Sequence, residues 1–162
     1  MPMPLNIIHP ETKLKCDLNT EKLPVNFHYD IEKFRLRDCK VIRKVISRII
    51  NDAGARGGKT DVILTNDKKV YEINNEFLGH DYFTDIITFN YNEGKIISGE
   101  IYISVDRVRD NSEEFSVPFK SEIRRVIFHG FLHLCGYDDS TAEQKRKMSE
   151  MEEMYLALSY AE

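Results

Sequence analysis

Apolar positions change their spacing along the chain, and each change marks an element. From Val25 the stretch VNFHYDI alternates apolar and polar side chains, as a strand does. Between Arg37 and Asp52, Val41, Val45, Ile46, Ile49 and Ile50 recur at helical spacing, and the glycines of DAGARGGK end that helix. TDVILTN reads as a buried strand, after which Asn66 or Asp67 caps a helix running to about Phe77. TDIITFNY from Thr84 and GEIYISV from Gly99 are rich in β-branched and aromatic residues, and the loop NEGKIIS separates them. They are expected side by side in one sheet.

A short helix from Asp106 leads to a loop at Pro118, and a longer helix starts at Phe119 or Lys120. Gly136 stops it, because glycine tolerates the left-handed conformation of a helix end. Ser140 with Glu143 fits a capping box, and a charged helix runs from there to the C-terminus. Residues 1–24 carry four of the five prolines and little periodicity, so they read as a loosely attached extension. The expected architecture is an α+β or α/β fold over residues 25–162, a small mixed sheet of about four strands packed with helices.

Composition narrows the class. The 162 residues are 41% apolar and 31% charged, an ordinary globular balance, and no apolar run approaches the roughly 20 residues of a membrane span. The N-terminus lacks the basic and apolar regions of a secretion signal, so a cytoplasmic location is expected. A net charge of -4 gives no chain-wide basic footprint for nucleic acid. Any RNA contact then rests on local cations, with Arg107, Arg109 and Arg125 as candidates. Cys16, Cys39 and Cys135 form no CxxC pair.

Candidate chemistry concentrates in HGFLHLCGYDD, residues 129 to 139. His129 and His133 are about 40° apart around a helix, so both imidazoles leave one face. Two side chains from one face leave a zinc tetrahedron incomplete, and the turn at Gly136 allows a third to return. The spacing of His129, His133, Gly136 and Asp139 reproduces the HxxxHxxGxx[ligand] framework of zincin-type sites, on what would be a zincin-like metal-site helix. The peptidase glutamate after the first histidine is here Gly130, so the ligand set is kept and the peptidase base is absent. The alternative is a satisfied core helix, with Asp139 serving only the next N-terminus.

These residues resemble the YbeY family of zinc-dependent endoribonucleases in ribosomal RNA maturation, whose motif is HGxLHLxGYDH. Upstream, INNEFLGHDYFTDIITF resembles the family's asparagine-containing helix followed by TDVLSF, and SGEIYIS resembles its GDIxIS strand. The resemblance runs from about Val25 to Met154. It implies one Zn²⁺ held by His129, His133 and Asp139, the last standing where the family has histidine. It also places Leu78 where the family has an arginine.

The function so implied is single-strand-specific endonucleolytic cleavage of RNA in ribosomal RNA maturation and ribosome assembly. Partners are ribosomal or other single-stranded RNA and small-subunit ribosomal proteins. A metal-bound water does the chemistry, with Asp85 and His80 as candidate catalytic residues and Tyr82 and Phe83 as candidate base-stacking surfaces. A non-RNA metallohydrolase and a non-catalytic assembly factor with a zinc site are the alternatives.

Overall fold

The computed structural model describes residues 23–161, so the expected N-terminal extension lies outside the described residues apart from Leu23 and Pro24. Nine elements follow in the order β1 (Val25–Tyr29), α1 (Cys39–Asp52), β2 (Arg56–Thr65), α2 (Asp67–Leu78), β3 (Ile86–Asn90), β4 (Ile96–Ser104), α3 (Val105–Glu114), α4 (Phe119–Leu134) and α5 (Ala142–Tyr160). The four strands form one mixed sheet in the order β1-β2-β4-β3. β1, β2 and β4 run parallel, and β3 pairs antiparallel with β4. The expected α+β fold is the one observed.

Alternation along the central strands builds two cores. Val62 and Leu64 of β2, with Ile101 and Ile103 of β4, join the larger core with apolar residues of α1, α3, α4 and α5. Ile63 and Tyr102 face the other way, against Val70 and Ile73 of α2. Helix α4 is buried nearly all round: Ile123, Ile127, Phe128, Phe131, Leu132 and Leu134 are all inaccessible. Each such side chain contributes roughly 1.5–3 kcal/mol of transfer free energy.

Gly130 lets α4 lie close on the sheet. A Cβ there would stand 2.9 Å from Ile86 Cδ1 and 3.1 Å from Ile101 Cδ1. The position that carries a glutamate in peptidases is therefore filled by neighbouring isoleucines.

Three boundaries differ from expectation. Strand β2 begins at Arg56 and not Thr60, because Arg56 and Gly57 pair with Ile96 and Ile97 of β4, with a register shift before Thr60. For the same reason β4 begins at Ile96 and the loop before it is shorter than NEGKIIS. The cap of α5 is Thr141 with Gln144, not Ser140 with Glu143: Thr141 Oγ1 accepts from the Gln144 N–H, and Gln144 Oε1 accepts from the Thr141 N–H. Gln144 Oε1 also accepts from the Ser140 N–H at 3.1 Å, which favours this register.

Candidate metal centre

The site is assembled by the end of α4 and the turn after it. Helical geometry puts His129 and His133 on one face, one turn apart, their rings 4.5 Å apart at 82°. The chain then leaves the helix through Gly136 at φ 99°, a conformation that glycine adopts without the steric cost of a side chain. Because α5 is capped by Thr141 and Gln144, the Asp139 carboxylate is not needed for capping. It turns back to the histidines.

Asp139 Oδ2 lies 3.5 Å from His129 Nε2 and 3.4 Å from His133 Nε2, and the two Nε2 atoms are 2.9 Å apart. A zinc ion at about 2.0–2.2 Å from tetrahedral donors would separate them by roughly 3.3–3.5 Å. The two edges to Asp139 match, and the histidine pair needs to open by a few tenths of an ångström. The donor set, two imidazoles and one carboxylate, is one that zinc accepts. These three residues could hold a metal ion. Side-chain exposure rises from 17% at His129 and 23% at His133 to 41% at Asp139, so the point they share opens to solvent on the carboxylate side. Asp138 is exposed and outside the group.

A charged network stands behind His129. His129 Nδ1 is 2.8 Å from Oε1 of the buried Glu152. Arg125 donates through Nη1 to the same oxygen at 2.9 Å, and through Nε and Nη2 to both oxygens of the buried Glu122. The Glu122 carboxylate keeps the Arg125 guanidinium protonated well above its ordinary value. Arg125, a candidate RNA contact from the sequence, is thus committed to an internal network. Glu152 was not anticipated. Its signal was a charged residue on the buried stripe Met148, Glu152, Tyr155, Ser159 of α5.

Asp85, immediately before β3, is the other sequence candidate near this network. Burial pushes its carboxyl above the ordinary range, against the opposing pull of Arg125, and Asn111 donates to its Oδ2 at 3.2 Å. His80 is turned elsewhere. Its Nδ1 is 2.9 Å from the Tyr82 hydroxyl and its ring stacks on Tyr82 at 5.0 Å. Tyr82 and Phe83 are exposed, although Phe83 packs on Tyr71 and lies beneath the Arg107 guanidinium. Arg107 is also paired with Asp67 at 2.8 Å. Arg109 lies over Phe119 in a groove of about 700 Å³, whose rim includes Arg35, Arg37 and Lys120. Leu78 is exposed at the end of α2. No helix among the described residues is long and apolar enough to cross a membrane.

Fold and site together define an α+β protein with a candidate metal centre: a mixed four-stranded sheet carries one helix whose HxxxH face and following turn bring three potential ligand atoms to one point. Comparison with known proteins gives the particular family. The family model described as Endoribonuclease YbeY matches residues 26–159. Endoribonuclease YbeY of Phocaeicola vulgatus is 48% identical over 132 residues, covering 80% of this chain and 96% of the relative. That of Chlorobaculum tepidum is 44% identical over 122 residues, 75% of this chain and 89% of the relative. The solution structure of TM1509 from Thermotoga maritima superposes with a TM-score of 0.59 at 26% identity, over 85% of this chain and 89% of that one. The chain belongs to the YbeY endoribonuclease family.

Proposed function

We propose that this chain is a zinc-dependent endoribonuclease that cuts single-stranded RNA during ribosomal RNA maturation in the cytoplasm, with ribosomal RNA and small-subunit ribosomal proteins as partners. The observation that carries the reading is the convergence of His129 Nε2, His133 Nε2 and Asp139 Oδ2 in a member of this family. A zinc ion there would supply Lewis-acid polarisation of a phosphate oxygen and a lowered water pKa.

The chain's own residues divide the remaining work. His129 and His133 bind through one nitrogen each, and Asp139 binds on the open side of the site. Asp85 is the nearer of the two catalytic candidates: its carboxyl, raised by burial and held by Asn111, is suited to take up and return a proton. His80 with Tyr82 offers a flat, exposed surface for an unpaired base. Arg107 and Arg109 are the candidate phosphate contacts, since Arg125 is spent inside the protein. Gly130, tight against Ile86 and Ile101, leaves no room for a peptidase glutamate, which disfavours peptide hydrolysis.

The test is incubation of purified protein with single-stranded RNA and with a protein substrate at added zinc, alongside His133→Ala. Cleavage of RNA alone, lost in the variant, is expected. Leu78, exposed in the place of the family's arginine, favours one second reading, a zinc-bearing assembly factor without nuclease activity. Unchanged RNA cleavage and ribosomal RNA maturation in the His133→Ala variant would rule out catalysis through this site.

A further inference from the structure

We infer that Glu152, braced by Arg125 and Glu122, is a positioning residue for His129, fixing which imidazole nitrogen faces the metal point and how tightly an ion is held there. The inference rests on the metal reading above and adds to it a residue from a different helix.

A carboxylate can only accept hydrogen bonds. The 2.8 Å approach of His129 Nδ1 to Glu152 Oε1 therefore places the ring proton on Nδ1, and Nε2 is left with its lone pair toward His133 and Asp139. Without Glu152 either tautomer is open to the ring, and one of them presents N–H to the metal point. Glu152 cannot swing away, because Arg125 Nη1 donates to the same Oε1 at 2.9 Å. Arg125 is in turn held by both oxygens of Glu122, which is 2% exposed.

Glu122, Arg125 and His129 follow one another along a single face of α4, at i, i+3 and i+7, while Glu152 enters from α5. The brace therefore depends on the docking of the two helices. His133 differs: among the described residues its Nδ1 has no hydrogen-bond partner. One of the two histidines is oriented from behind, and the other meets partners only at the metal-point side of its ring.

Charge points the same way. Arg125 is shared by two carboxylates, so the trio carries one net negative charge close to Nδ1 of His129. A carboxylate in that place makes the imidazole a stronger donor, and in other metal sites losing such a partner weakens metal binding about 10–100-fold.

The experiment is a zinc titration against a chromophoric chelator for the wild type, Glu152→Ala, Glu152→Gln and Glu153→Ala, with the His129 tautomer of the metal-free proteins read by long-range ¹⁵N–¹H NMR. Zinc affinity should fall about 10–100-fold in Glu152→Ala. It should fall less in Glu152→Gln, whose amide oxygen still accepts, and should hold in Glu153→Ala, whose side chain is exposed. The wild-type His129 proton should sit on Nδ1, and Glu152→Ala should show a mixture.

Equal zinc affinity in Glu152→Ala and the wild type, or a wild-type proton on Nε2, overturns the proposal while leaving the metal site standing. A wild type that takes up no zinc overturns both. Should Glu152→Ala fail to fold, Glu152→Gln and the wild-type tautomer decide the matter by the same criteria.

Discussion

Asp139 Oδ2 stands 3.4 Å from His133 Nε2, across the turn that Gly136 makes. That separation matches the edge of a tetrahedral zinc site and fits the carboxylate as the third ligand of the proposed centre. Metal analysis after dialysis should find one zinc per wild-type chain and much less in Asp139→Ala. Asp139→His should retain the ion, because imidazole is an equally ordinary zinc ligand. Full occupancy in the alanine variant would remove Asp139 from the ligand set.

Gly130→Glu tests why the peptidase base is missing. Its Cβ alone would come within 3.2 Å of three isoleucine methyl carbons, and the carboxylate would have to be desolvated or displace the sheet. Overpacking and an unpaired charge together should cost more than about 2 kcal/mol of stability. Urea unfolding measures this. A variant as stable as the wild type would show that α4 can lift from the sheet freely.

Removing the arginine between the two buried acids should be costly for the fold itself. Arg125→Ala leaves Glu122 charged and unpaired, and leaves Glu152 with His129 as its remaining partner. Breaking a buried ion pair from one side costs about 3–5 kcal/mol, and about 3 is expected here because the Arg125 side chain is 31% exposed. Adding Glu122→Gln to Arg125→Ala should recover part of that loss. A loss below about 1 kcal/mol in the single variant would mean water already screens the network.

Glu100 predicts a pH dependence away from the candidate metal centre. Burial raises its carboxyl above the ordinary 4.5, although the Tyr102 and Tyr91 hydroxyls both donate to its Oε2 at 3.2 Å. With the folded pKa above the unfolded one, the folded state binds more protons between the two values. The contribution of this group to stability therefore increases as pH falls through the folded pKa toward 4.5, and is unfavourable at neutral pH. Glu100→Gln should be more stable than the wild type at neutral pH, with the gap closing as pH falls. A gap that stays constant with pH would refute the assignment.

Tyr82 tests the proposed base-stacking surface. Stacking of a base on an aromatic side chain contributes roughly 1–3 kcal/mol, so Tyr82→Ala should weaken single-stranded RNA binding about 5- to 150-fold. Tyr82 is 55% exposed and its removal touches no core residue, so thermal stability should change little. Binding by fluorescence anisotropy that is unaltered would place the strand elsewhere.

The convergence of the candidate ligand residues was legible because they are local. His129, His133, Gly136 and Asp139 lie within one helix end and one turn, where helical period and glycine conformation dictate geometry without knowledge of the tertiary fold. Glu152 was not legible, since it approaches from a helix containing several other glutamates and its role depends on how α4 and α5 dock. Arg125 looked like a surface cation for the same reason. The early starts of β2 and β4 were hidden by Gly57 and Gly58, which read as helix stops, whereas pairing with Ile96 and Ile97 carries the strand through them. Ser140 and Thr141 both suit a cap, and only the side-chain bonds of Gln144 select between them.

The candidate metal ligands come from one short stretch, yet the acid behind His129 comes from the final helix. An ion held there favours the folded chain by mass action, by about 2.7 kcal/mol when its free concentration is a hundred times its dissociation constant. With the proposed ion bound, ion supply and protein lifetime would be coupled: where the ion is scarce, a larger fraction of chains would stand open to proteolysis, and the level of the protein would fall.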